Sequence, residues 1–108
     1  MARKLVDQEP DKPEWTFLTN HAHVLLCIAQ DPEVRLVDIA RLVGIGERAV
    51  HSIVTDLVDA GYVIRYKQGR NNVYEVSLNR PFRHPLEAEH KISEIFRPLT
   101  RQPKNRPR

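Results

Sequence analysis

Cysteine is almost absent: Cys27 is the single thiol in 108 residues. An internal disulfide is therefore excluded, and the chain fits a reducing compartment. No run of about 18 apolar residues occurs, so nothing reads as a membrane span. The opening residues, MARKLVDQEPDKPEW, lack the apolar stretch of a secretory signal. The expected location is the cytoplasm. No internal repeat is visible. No Ser-His-Asp or Cys-His arrangement has a recognisable spacing, and Asp56 and Asp59 read as solvated carboxylates on an exposed helix face. An enzyme is not expected, and no cofactor is implied. The length suits one domain and leaves no room for a cofactor-binding domain beside a second one.

Charge is small in sum and uneven in place. The net value is +3. Residues 1–34 hold three basic and six acidic side chains, residues 35–78 six and five, and residues 79–108 eight and three. A basic last third suits a polyanionic partner, and equally a solvated tail.

Four segments follow from the pattern. Residues 1–15 are polar, with Pro10 and Pro13, and read as a flexible arm. Residues 16–80 carry the main unit. Thr19 or Asn20 can cap a helix running to about Gln30, with Val24, Leu25, Ile28 and Ala29 at helical spacing. Asp31-Pro32 ends it, and Val34 to Leu36 suggests a short strand. Residues 81–99 predict a final helix from Leu86 to about Arg97, ending near Pro98. Residues 100–108, TRQPKNRPR, read as a disordered basic tail able to track phosphates.

Leu36 to Gly61 reads LVDIARLVGIGERAVHSIVTDLVDAG, the pattern of a helix-turn-helix. Ala40 is small where two helices must approach. Gly44 can take the positive φ that ends the first helix, and Gly61 can do the same for the second. Asp38 suits the first turn of the first helix. Val50, Ile53, Val54, Leu57 and Val58 form the inward side of the second helix. Tyr62 to Tyr66 and Val73 to Val76 predict two strands, with Lys67 to Asn72 as a turn-rich basic loop between them. The fold class is therefore mainly α with a small β-hairpin (α+β), a winged helix-turn-helix with an extra C-terminal helix.

Leu18 to Leu78 resembles the winged helix-turn-helix domain of MarR- and ArsR-type transcription regulators. DLVDAGYVIR is similar to the end of their recognition helix and first wing strand, and YKQGRNNVYEVS to the basic wing, in its ArsR form. The long outer helices of a full MarR-type dimer domain are missing or shortened. The resemblance implies double-stranded DNA as partner, transcription regulation and nucleoid association. The second motif helix would enter the major groove. Arg48, His51 and Ser52 would then face base edges, with Thr55 on a phosphate. Lys67, Gln68, Arg70, Asn71 and Asn72 would lie against the backbone or minor groove, where arginine suits a narrow, negative channel. A winged helix that docks a protein instead remains open, since fold does not fix function. RNA is disfavoured, because no aromatic stacking platform is present.

Other chemistry is weaker. His23 and Cys27 lie four apart with His21 nearby and could join a metal site, as in a metal-responsive repressor; two or three ligands are a thin set, and Cys27 also fits an ordinary core position. His84, Glu87, His90 and Glu94 read first as a wet helix face. Gly44-Ile45-Gly46-Glu47-Arg48-Ala49 fits a GxGxxA fingerprint on paper but follows a helix and lacks a βαβ frame. Ile92, Ile95, Phe96 and Leu99 form an apolar stripe that must fold back on its own domain or pair with a second copy. Phe17 and Leu18, beside Trp15, can join it. A homodimer is the expectation, since one winged helix reads few base pairs. No small-molecule effector can be inferred.

Overall fold

A computed structural model describes residues 13–100. The parts of the expected arm and tail at 1–12 and 101–108 lie outside the described residues. The element order is α1 (Asn20–Gln30), α2 (Leu36–Val43), α3 (Glu47–Asp59), β1 (Val63–Gln68), β2 (Asn71–Val76) and α4 (Ser93–Thr100). This is the α+β winged helix-turn-helix architecture with a helix after the hairpin.

Local chemistry explains the boundaries. Thr19 caps α1, its side chain accepting from the Ala22 amide. Gly44 closes α2 with φ 86°, its amide bonded to the Ala40 carbonyl at 2.8 Å. Gly61, also at φ 86°, turns the chain out of α3. A Cβ at Gly61 would also press on the Arg80 guanidinium. Arg80 in turn lies over the Tyr62 ring, 5.7 Å from its centroid.

Three helices and the base of the hairpin share one core. Val24, Leu25 and Ile28 of α1, Ile39 and Ala40 of α2, and Val50, Ile53, Val54 and Leu57 of α3 are buried. Tyr62, Val63 and Tyr74 close it from the hairpin side, and Ile92 and Phe96 from the C-terminal side. Each fully buried aliphatic side chain contributes about 1.5–3 kcal/mol relative to exposure. The helix angles are thus set by packing that holds α3 with one face inward and the other in solvent.

Three expectations are corrected. The strand at Val34–Leu36 does not form. Asp31 makes a turn instead, its carboxylate accepting from the Glu33 amide and its carbonyl from the Val34 amide, and Leu36 already belongs to α2. The basic loop shrinks to Gly69-Arg70. Lys67, Gln68, Asn71 and Asn72 join the strands as the pairs Lys67↔Asn72 and Gln68↔Asn71. Gly69 has φ 65°, the conformation required at the first central position of a two-residue type II′ hairpin.

The third correction concerns the last helix. It starts at Ser93, not Leu86, and runs through Pro98 to Thr100. Residues 84–90 form successive turns, with the Glu87 amide bonded to the His84 carbonyl and the His90 amide to the Glu87 carbonyl. The loop is clamped at its ends by the Pro81↔Lys91 bridge and by the Ile92 amide on the Arg80 carbonyl. That clamp fixes where α4 can begin. Glu94 strengthens the start by accepting from the Lys91 amide at 2.9 Å. This bond, followed by the bond from His90, holds its carboxyl below the usual range. Pro98 lacks an amide and so gives no bond to the Glu94 carbonyl, and at the end of the helix the Thr100 hydroxyl donates to the Phe96 carbonyl.

Candidate nucleic-acid interface

The solvent face of α3 carries the residues singled out from sequence. Val50, Ile53, Val54 and Leu57 hold the opposite face down, which leaves Arg48, His51 and Ser52 exposed and Thr55 half-buried. At steps of three and four these side chains share one side of the helix. Among the described residues, Arg48, His51 and Ser52 have no side-chain hydrogen-bond or ion-pair partner. Gly46 opens α3 without a side-chain cap.

The acids on α3 are distributed differently. Asp56 is bonded to His21 Nε2 at 2.8 Å, which ties α3 to the first turn of α1. His21 is thereby drawn to α3, away from the imagined set with His23 and Cys27. Cys27 is half-buried, and burial pushes its thiol above the ordinary value. No cluster of three His, Cys, Asp or Glu side chains suited to a metal ion exists among the described residues.

The hairpin register sorts the wing residues by face. Residues directly opposite in an antiparallel pair point the same way, and neighbours along a strand alternate. Lys67 and Asn72 therefore share a face with Arg65 and with the buried Val63 and Tyr74. Gln68 and Asn71 lie on the other face with Ile64, Tyr66 and Glu75. Arg70 sits at the tip. On the outer face the Tyr66 hydroxyl donates to Glu75 at 2.9 Å, which raises the phenol above its ordinary value.

A notch of about 290 Å³ separates the wing tip from the start of α2. Arg70, Asn71 and Asn72 line one side, and Glu33 and Arg35 the other. Arg35 occupies the α2 N-cap, and its side chain makes no capping bond to the backbone of the helix. It reaches only Asp38, at 3.4 Å, with its side chain mostly in solvent. Sequence reasoning passed over Arg35 and Arg65. Strict alternation from Lys67 would have found Arg65, whereas Arg35 becomes a neighbour of the wing only through the Tyr74 amide bonding to the Pro32 carbonyl at 2.9 Å.

The C-terminal stripe is divided. Ile92 and Phe96 are buried in the domain's own core, while Ile95 and Leu99 remain exposed. Of the second cluster, His90 Nδ1 pairs with Glu94 at 2.7 Å, and His84 Nδ1 accepts from the Leu86 amide.

Residues 19–64 match the family model described as winged helix-turn-helix DNA-binding. The matched span covers α1, α2, α3 and the first residues of β1. The similarity therefore rests on the helical part, while most of the wing and α4 lie beyond it. Comparison with curated proteins finds no match. No helix among the described residues is long and apolar enough to cross a membrane.

Proposed function

We propose that this chain is a sequence-specific, double-stranded DNA-binding transcription regulator that works as a homodimer in the cytoplasm. The observation that carries the reading is the pairing of an unpartnered polar face on α3 with a basic hairpin in the same domain. A major groove about 12 Å wide admits a helix, and base edges there reward donors at fixed spacing. Arg48 is the residue for a bidentate guanine contact, His51 and Ser52 supply adjacent donors, and Thr55 lies further along the helix for a phosphate. Lys67, Arg70 and Asn72 hold the backbone or minor groove, with Gln68 and Asn71 on the other face of the wing. Arg35, across the notch from Arg70, adds a phosphate contact beside the start of α2.

The role is binding, with no catalytic step. A homodimer doubles the number of bases read and imposes two-fold symmetry on the site. The test is fluorescence anisotropy with genomic duplex fragments at two salt concentrations, on wild type, Arg48→Ala and Arg70→Ala. Salt-sensitive binding that both substitutions weaken is the expected result. Absence of binding at low salt would overturn the reading and leave α3 as a surface for a protein partner.

A further inference from the structure

A depression of about 430 Å³ lies between residues 13–16, one side of α1 and the end of α2. Small-molecule sites have this size. Asn20, His23, Cys27 and Gln30 line it from α1, where steps of three and four place them on one face. Leu26, Leu42 and Val43 supply apolar surface, and Leu26 and Val43 rest on the domain core. Trp15 lines it from the segment before α1. Its ring meets that of Phe17 at 77°, with the centroids 5.0 Å apart, yet 67 % of Trp15 stays exposed. The Thr16 hydroxyl donates to the Leu18 carbonyl at 2.6 Å, which steadies the segment that carries both rings. Glu14 is the only Asp, Glu, Lys or Arg side chain in the lining. It has no ion-pair partner among the described residues. The side chains of Asn20, His23 and Gln30 have no hydrogen-bond partner there either.

We propose that this depression binds a lipophilic organic cation, with Glu14 and Trp15 taking the charge and Leu26, Leu42 and Val43 the hydrocarbon body. Two observations select a cation. First, the wall holds an unpaired carboxylate and no Lys or Arg, the reverse of the wing notch with Arg35 and Arg70. An anion seated here would face Glu14 without a compensating Lys or Arg. Second, the residue next to Glu14 is an exposed indole, and Trp attracts cations over its ring face more strongly than Tyr or Phe. Asn20, His23 and Gln30 are free to bond polar substituents of the same ligand. The proposal stands apart from the DNA reading, since among the described residues none of α3 or of the hairpin lines the site.

Trp15 is the only tryptophan of the chain, so its fluorescence in the full chain reports on the site directly. The probes are tetraphenylphosphonium and tetraphenylborate, which share a shape and differ in sign. Phosphonium should quench saturably, with half-saturation below about 1 mM, and bind more weakly as salt rises. Borate should bind at least about tenfold more weakly, because attraction to Glu14 becomes repulsion. Glu14→Gln should weaken phosphonium binding by about three- to fivefold, as for an exposed ion pair. Trp15→Leu, followed by equilibrium dialysis, should weaken it by about fivefold. Glu14 and Trp15 are exposed, so both variants keep the fold, which circular dichroism checks. Glu87→Gln, in the separate groove beside α4, should leave binding unchanged. Equal affinity for the two probes would reveal a merely apolar surface and overturn the proposal. It would be overturned as well by absence of saturable binding up to about 1 mM, by a Glu14→Gln variant that binds like wild type, or by a loss that follows Glu87→Gln in its place.

Discussion

Removing the charges of the wing should change the salt dependence of DNA binding by a calculable amount. Lys67 and Arg70 are exposed, one at the last paired position but one of β1 and the other at the turn. Neither is held by an acid of its own domain among the described residues. Their charges are therefore available to displace counterions from duplex DNA. Each phosphate neutralised contributes about 0.9 to the slope of log affinity against log salt. If each side chain meets one phosphate, Lys67→Ala/Arg70→Ala lowers that slope by about 1.8. Between 50 and 200 mM salt, a fourfold change, wild type should then lose about 12-fold more affinity than the double variant. Anisotropy titrations at four or more salt concentrations measure both slopes. Arg48→Ala is the control with a different signature. Loss of a base contact should cost about 1–3 kcal/mol on the preferred site and little on random duplex. A double variant whose slope equals that of wild type would refute the assignment of the wing to phosphates, whatever its affinity.

Three further outcomes follow from packing and titration. Phe96→Ala should destabilise the domain by about 3–5 kcal/mol in urea unfolding, because the ring is buried in the core; a variant that stays fully stable and only changes oligomeric state would contradict this. Gly61→Ala should cost about 1 kcal/mol or more in thermal unfolding, since φ is 86° and the new methyl meets Arg80. Arg80→Ala should recover only the contact part, and full recovery would show that backbone strain is negligible. Glu94 has a carboxyl lowered from its ordinary 4.5 by its bond from the Lys91 amide and then by His90. Its contribution is present above pH 4.5 and is lost as pH falls through the lowered folded value. Glu94→Gln should therefore be less stable than wild type at neutral pH and equal to it at strongly acidic pH, in paired denaturant titrations; a difference that persists unchanged in acid would remove the carboxylate from the account.

The helix-turn-helix was legible because its constraints are local. Gly44 and Gly61 mark positions where the backbone needs a positive φ, and the structure has it at both. Thr19 is a side-chain cap whose hydroxyl acts within three residues. Val50, Ile53, Val54 and Leu57 repeat at the helical period, so the side of α3 left for solvent was readable as well. The misread segments are those where distant contacts decide. Leu86 to His90 has the composition of a helix, yet the bridge between Pro81 and Lys91 closes it into turns and moves the start of α4 to Ser93. Lys67 to Asn72 has the composition of a loop, yet two residues suffice for the reversal once Gly69 takes φ 65°. The remaining four complete the ladder.

That ladder alters what the wing can do. A floppy six-residue loop would let any of its polar side chains reach a phosphate. A paired hairpin does not, because its pleat sends Lys67 and Asn72 to one side and Gln68 and Asn71 to the other. The basic side gains Arg65 from the strand, while the opposite side carries Ile64 and a Tyr66 held by Glu75. The two sides should therefore differ sharply under substitution. Arg65→Ala should reduce the salt slope as Lys67→Ala does, by about 0.9 if it meets one phosphate. Gln68→Ala should leave the slope unchanged. Equal effects from both would mean that the wing meets DNA edge-on through its tip alone, and Arg70 would then carry the whole contact.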